Sequence, residues 1–218
     1  MLTFVEETCL LLLDEKSGEL LAIHPNILEC ALVGAVLMDL AFAYRIDTDP
    51  KTLVVSDRTP TGEAILDRIL ARIADHPETT DTSTWIKTLS ADEAAGLQTA
   101  VLDRLVERGI LERREKRSLL GRRSRRYETA DGEAAREVKE RIKTLILSDE
   151  IPDPRDVALL SLVDSCNILS YVFPGGEVKN AGARIGQLRK MDLVGRDVVG
   201  AVAEIERVIV AARAHGAY

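Results

Sequence analysis

Cysteine is scarce in this 218-residue chain: Cys9, Cys30 and Cys166 are an odd set, far apart and without a C-x-x-C pair. That excludes a disulfide framework and a cysteine zinc site, and it fits a reducing compartment. Aromatic residues make up 4% of the chain, so a core must be built from Leu, Val, Ile and Ala, which an apolar content of 46% supplies. Histidine is equally sparse. His24, His76 and His215 fall in no H-E-x-x-H or H-x-E spacing, and each reads as a surface or helix-end residue rather than a metal ligand or general base. There is no G-x-x-x-x-G-K-[ST] loop and no strand-embedded G-x-G-x-x-G, so Gly182, Gly186 and Gly195, spread around Arg184 and Arg189, read as helix-packing glycines. Glu6 with Glu7, and Asp164 in an apolar helix, have no second group placed to separate their pKa values. The expectation is a protein without catalysis, cofactor or metal.

Targeting and spanning signals are missing as well. The run Cys9 to Leu13 is preceded by Glu6 and Glu7 where a secretory signal would carry Lys or Arg, and Asp14, Glu15 and Lys16 follow it where small residues would mark cleavage. The low-charge stretch Ile27 to Ala43 is shorter than a span needs and contains Glu29 and Asp39, each costing about 3 kcal/mol at mid-bilayer. It reads as a buried core helix, begun by Pro25 at its first position and running to about Tyr44. Being apolar nearly all round, it must be enclosed by other helices. No internal repeat and no Pro- or Gly-rich linker divides the chain, so a single domain over 1–218 is expected.

Around that helix the pattern is mainly helical. Ile65, Leu66, Ile69, Leu70 and Ile73 recur at three and four between Gly62 and His76. After a polar connection from Pro77 to Thr84 and a short apolar piece from Trp85 to Leu89, Ser90 and Glu93 have capping-box spacing. Leu97, Val101, Leu102, Leu105 and Val106 continue from there, with Gly109 placed to end the helix. Asp131 is the expected cap of a helix whose Ala135, Val138, Ile142, Leu145 and Ile146 share a face. Asp153 and Pro154 open a second enclosed helix, Val157 to Phe173, stopped by Pro174, Gly175 and Gly176. Two more helices are expected, near Val178 to Met191 and from Arg196 to Ala214. Leu53 to Val55 is a brief, isolated strand candidate.

One segment departs from the rest in composition. Between Arg113 and Arg126 there are eight basic residues and one acid, Glu115, for a net charge of +7, whereas the rest of the chain carries −14 and the whole −7. Any anion binding must therefore be local. Leu119, Leu120 and Gly121 at the middle, polar arms on either side and Tyr127 beyond read as a β-hairpin with a small apolar tip, expected over 113–130. Clustered Arg and Lys beside such a tip suit an anionic bilayer, to which each basic residue contributes about 1 kcal/mol. The plainer reading is a solvated loop that balances the acidic body. A third is the wing of a winged-helix nucleic-acid binder, since a helix ending Leu-Val-Glu-Arg-Gly-Ile-Leu leads into the basic hairpin. Against it, no base-reading helix pair precedes Gly109 and the body is acidic.

Several segments taken in order resemble the Golgi phosphoprotein 3 family. They are Leu2-Thr3-Phe4-Val5-Glu6-Glu7 with the leucine run and Asp14 to Gly18, and the Leu32 to Arg45 helix ending Asp39-Leu40-Ala41-Phe42-Ala43-Tyr44-Arg45-Ile46. Pro60-Thr61-Gly62 before Leu66-Asp67, Trp85-Ile86 before Leu89, Leu105 to Leu111 and Asp153 to Phe173 complete the match, which spans nearly the whole chain. The resemblance implies a helical bundle with central apolar helices ringed by amphipathic ones, and a protruding hairpin used in homo-oligomer contacts and membrane approach. It implies a peripheral, non-catalytic adaptor on the cytosolic membrane face. Eukaryotic members bind phosphatidylinositol 4-phosphate and link glycosyltransferase tails to the coat machinery. The family's head-group pocket positions fall here on His24, Val33, Ala95 and Gln98, which lack the fixed cations a phosphate ester needs. The expected lipid contact is therefore a less specific one to anionic lipid, through Arg113, Arg114, Lys116, Arg117, Leu119, Leu120, Arg122, Arg123, Arg125 and Arg126, with client protein tails as further partners and nucleic acid as the alternative.

Overall fold

The computed structural model describes residues 1–14, 16–48, 51–76, 80–117, 123–129, 133–149, 151–176, 178, 182–188 and 196–216, with backbone alone at 95, 115–117, 123–125, 129, 196–201, 212–213 and 215–216. The protein is mainly helical, with two small antiparallel hairpins among the described residues. Its first helix, α1 (Phe4–Leu11), is buried along its whole length, although the sequence pattern marked only an apolar run there. A capping box starts it: Thr3 Oγ1 accepts from the Glu6 N–H and the Glu6 carboxylate accepts from the Thr3 N–H.

The central helix α2 (Pro25–Phe42) opens as expected, with Pro25 in the first turn and His24 as N-cap, its Nδ1 accepting from the Asn26 N–H at 3.3 Å. By length and composition α2 could cross a membrane, but every residue from Ala31 to Ala41 is buried in this fold. It packs against α1, α4 (Thr82–Glu107), α6 (Pro154–Ser165) and α9 (Arg196–Gly216). Gly34 is what lets α9 come so close: a Cβ there would lie 2.6 Å from Ile209 Cδ1 and 3.0 Å from Leu162 Cδ1. At Gly182 and Gly186 a Cβ would meet open space, so those two are not packing glycines, and Gly195 lies outside the described residues.

Helix α3 (Ala64–Ala74) buries Leu66, Ile69, Leu70 and Ile73, the expected stripe. Ahead of it the Asp67 carboxylate accepts from the Thr61 N–H and Oγ1 and from the Gly62 N–H, which ties down the Pro60-Thr61-Gly62 turn. The Ser90–Glu93 capping box does not exist. Asp81 caps one unbroken helix, α4, because the apolar stripe Trp85, Ile86, Leu89, Ala94, Leu97, Val101 runs through Ser90 without a change of phase. Glu93 instead pairs with Arg68 and Arg72. Gly109 does end α4, at φ 70°, with the Ile110 N–H on the Leu105 carbonyl.

Helix α5 (Glu133–Leu147) buries all five predicted residues, while its proposed cap Asp131 lies outside the described residues. The expected Val157 to Phe173 helix is interrupted. α6 ends where Asn167 takes φ 58° and the Ile168 N–H reaches the Val163 carbonyl, and α7 (Leu169–Val172) follows. Asn is among the few non-glycine residues that tolerate this C-terminal conformation. α8 (Gly182–Leu188) and α9 complete the chain. Leu53–Val55 is strand β2, paired antiparallel with β1 (Ile46–Thr48), so it is not isolated. The basic segment forms the second hairpin, β3 (Leu111–Arg117) and β4 (Arg123–Thr129), in the register Leu111↔Thr129 to Arg117↔Arg123.

Candidate functional site

The basic hairpin is seated by its base. Leu111 and Tyr127 are buried there, and β3 packs on α4 while β4 packs on α5. The Tyr127 N–H donates to the Gly18 carbonyl at 2.6 Å, and Gly18 sits at φ 68° with the Tyr127 backbone so close that a Cβ would lie 3.0 Å from its carbonyl oxygen. Asp14 shapes that turn by accepting from the Lys16 and Ser17 N–H groups, bonds that hold its carboxyl below the ordinary carboxylate range. The Asp14 to Gly18 segment is thus the seat of the hairpin.

The cations nearest the base are engaged. Arg113 pairs with Asp103 at 3.0 Å, Arg114 with Glu112 at 2.9 Å and Glu128 at 3.3 Å, and Arg126 with Glu19 at 3.3 Å. Arg113 thus reaches α4 and Arg126 the Asp14 to Gly18 turn's neighbour Glu19, while Arg114 pairs within the hairpin itself. Lys116, Arg117, Arg123 and Arg125 lie on described backbone only, with Glu115 opposite Arg125, and Leu119, Leu120 and Arg122 lie outside the described residues.

The four head-group positions do not form a cationic pocket. His24 is spent as the α2 cap, Val33 is buried in the core and Gln98 is half-buried on α4, while the side chain of Ala95 is not among those described. Nor does α4 supply a base-reading helix. Its exposed residues include Lys87, Asp92 and Glu107, a mixture of signs rather than the clustered positive charge that phosphates require.

Sequence reasoning missed a buried cluster around the start of α1. Glu6, Glu7 and Asp39 are all buried, and four arginines from three helices close over them. Arg108 donates to both Glu6 oxygens at 2.6 and 2.8 Å, and Arg104 spans Glu6 and Glu63. Arg141 bridges Glu7 at 2.8 Å and Asp156 at 2.7 Å. Arg155 lies 3.8 Å above the Phe4 ring, 3.4 Å from Glu7 and 3.6 Å from Asp39. Asp39 accepts from the Phe4 and Val5 N–H groups at 2.9 and 3.2 Å, so α2 caps α1 from across the core. Burial pushes the Asp39 carboxyl up to about 7, against the pull of those two N–H groups and Arg155. The available signal was two adjacent acids placed directly against an apolar run, which only a buried partner set explains. Each of the four arginines is paired with a buried carboxylate, so the cluster is an internal clamp rather than an anion site. No group of metal-ligating side chains occurs among the described residues.

With this geometry in hand, comparison with known families is specific: the family model described as Golgi phosphoprotein 3 (GPP34) matches residues 4–205, from the first turn of α1 to the middle of α9.

Proposed function

Because the chain belongs to the Golgi phosphoprotein 3 family, a lipid-binding and adaptor family, we propose that it is a peripheral, non-catalytic adaptor that attaches to anionic bilayers through the outer half of the β3–β4 hairpin. The observation that carries this reading is the distribution of charge along the ribbon. Arg113, Arg114 and Arg126 are paired at the base, and further along the ribbon the sequence sets Lys116, Arg117, Arg122, Arg123 and Arg125, with the single acid Glu115, about Leu119 and Leu120. Cations held next to an apolar pair suit an interface where head groups are negative and the acyl region is near. Attachment would place the protein on the cytosolic membrane face, where client protein tails are the partners in keeping with the family.

Head-group selectivity is a separate matter. A pocket that selects a phosphate ester needs cationic donors fixed at its wall, and here Val33 is a buried aliphatic, Gln98 an uncharged amide and His24 the cap of α2. Phosphatidylinositol 4-phosphate is therefore expected to bind no better than another lipid of equal charge. Liposome sedimentation tests both points. The parent should pellet with phosphatidylserine vesicles at low ionic strength and lose roughly tenfold or more in partitioning when Arg117, Arg122, Arg123 and Arg125 become Glu. Equal pelleting of parent and variant removes the hairpin from the account. Salt-dependent binding to duplex DNA without vesicle binding would restore the nucleic-acid alternative.

A further inference from the structure

The first turn of α1 is held from three other helices. The Phe4 and Val5 N–H groups reach Asp39 of α2 at 2.9 and 3.2 Å, the Leu2 carbonyl accepts from Arg155 of α6 at 2.9 Å, and the Met1 carbonyl accepts from Arg108 at the end of α4 at 3.4 Å. Met1 is exposed and Leu2 and Thr3 are half-buried, so the segment leading into these bonds lies at the surface, whereas Asp39 is 6% exposed. Positive charge around Asp39 is unevenly shared. Asp39 and Glu7 both draw on Arg155, at 3.6 and 3.4 Å, but Glu7 has a second cation, Arg141 of α5, at 2.8 Å, and Arg141 also holds Asp156 of α6. Arg104 and Arg108 of α4 are taken by Glu6, and Arg104 by Glu63 as well. The arginines of α3, Arg68 and Arg72, go to Asp92 and Glu93, and on α9 Arg207 goes to Glu204. Asp39 is thus the least compensated carboxylate of the clamp, buried beside a like charge and sharing one guanidinium.

The same helix meets both roots of the β3–β4 hairpin. Arg108, which donates to both Glu6 oxygens, stands just before Leu111 opens β3. Beyond its other end α1 runs through Leu13, paired with Leu20, into the Asp14 to Gly18 turn, whose Gly18 carbonyl takes the Tyr127 N–H of β4. A change in the hold on α1 therefore reaches both strands through direct contacts. We propose that the first turn of α1 is a proton-operated latch on the footing of the hairpin: with Asp39 protonated the turn stays closed, and loss of that proton favours an opened turn in which Asp39 meets water and Glu6 slackens its hold on Arg108. Proton linkage fixes the direction. Burial lets the closed turn keep its proton up to about pH 7, whereas a hydrated Asp39 releases it near the ordinary 3.8, so opening sheds a proton and becomes easier as pH rises between the two values, levelling off above about 7. Acid closes the latch. The resting cost of opening is set by Phe4, whose ring meets Phe42 edge-on at 5.0 Å and lies under Arg155. Whatever the hairpin touches, it is presented from a firmer seat in acid than at neutral pH.

Native-state hydrogen exchange of the full chain, followed by NMR and corrected for the intrinsic rate at each pH, tests the latch. From about pH 7 down to about pH 5 the protection of the Phe4, Val5 and Tyr127 amides should rise roughly tenfold or more. The carboxyl carbon of Asp39 should titrate with a midpoint of about 7. Low concentrations of urea separate a local opening from unfolding of the whole molecule: these three amides should exchange with little urea dependence, unlike that of Leu37, buried in the middle of α2. Asp39→Asn should flatten the pH response of all three, and if that variant does not fold, the parent's titration and exchange still decide the matter. An Asp39 midpoint below about 5 overturns the proposal. So does protection at Phe4 and Val5 that ignores pH or carries the full urea dependence of unfolding, and so does a Tyr127 amide that stays flat while those two respond. Vesicle binding enters none of these readings, so the latch and the bilayer assignment stand or fall separately.

Discussion

Arginine does two different things in this protein, and the contrast between the α1 clamp and the β3–β4 hairpin shows why. In the clamp, Arg104, Arg108, Arg141 and Arg155 meet carboxylates that are themselves buried, Glu6 at 0% exposure and Glu7 at 3%. Losing one partner there strands a charge where water cannot reach it. In the hairpin base, Arg114 meets Glu112 and Glu128, all three more than half exposed, and either partner can return to water. The chemistry of the pair is the same, and burial decides what it is worth.

That contrast can be broken or sharpened by measurement. Arg155→Met should cost about 3–5 kcal/mol in urea unfolding, since Glu7 and Asp39 lose their shared guanidinium and the Phe4 ring its cation. A loss below about 1 kcal/mol would put the clamp on the same footing as the surface pairs. Asp39 gives a smaller, pH-dependent effect. Its carboxyl is raised from an ordinary 3.8 to about 7, so the folded state holds a proton that the unfolded state releases. The stability this contributes is complete below about 3.8 and is lost as pH rises through about 7. Asp39→Asn should remove that downward slope between the two values, as read by urea midpoints across the range, and an unchanged slope would assign it to another group. Arg114→Ala should be nearly silent, costing at most about 1 kcal/mol and less at high salt. A larger loss would mean that the hairpin base is held by its charges rather than by Leu111, Tyr127 and the Gly18 contact.

Much of the helical frame was legible because one periodicity carried it. The stripes of α3 and α5 and the Pro25, Asp153 and Gly109 boundaries are local signals, decided within a turn or two. The errors also share a cause. Ser90 and Glu93 satisfy a local rule that a longer apolar stripe overrides, and the Asn167 break was masked by apolar residues continuing on both sides, although Asn is a residue that suits a helix end. The hairpin was legible from composition, but not the pairing of Arg126, since Glu19 comes from a distant part of the chain.

Composition and spacing alone therefore determined the mainly helical class, the enclosed α2 and the basic ribbon on an acidic body, while the family came from the segments that resemble it and the match over residues 4–205. Each depends on residues near one another in sequence or on sums over the chain. Only the tertiary structure decided that Glu6, Glu7 and Asp39 share one buried clamp and that Gly34 admits α9. Those facts are set by side chains from different elements meeting in space, and the dielectric each pair experiences is a property of the packed molecule.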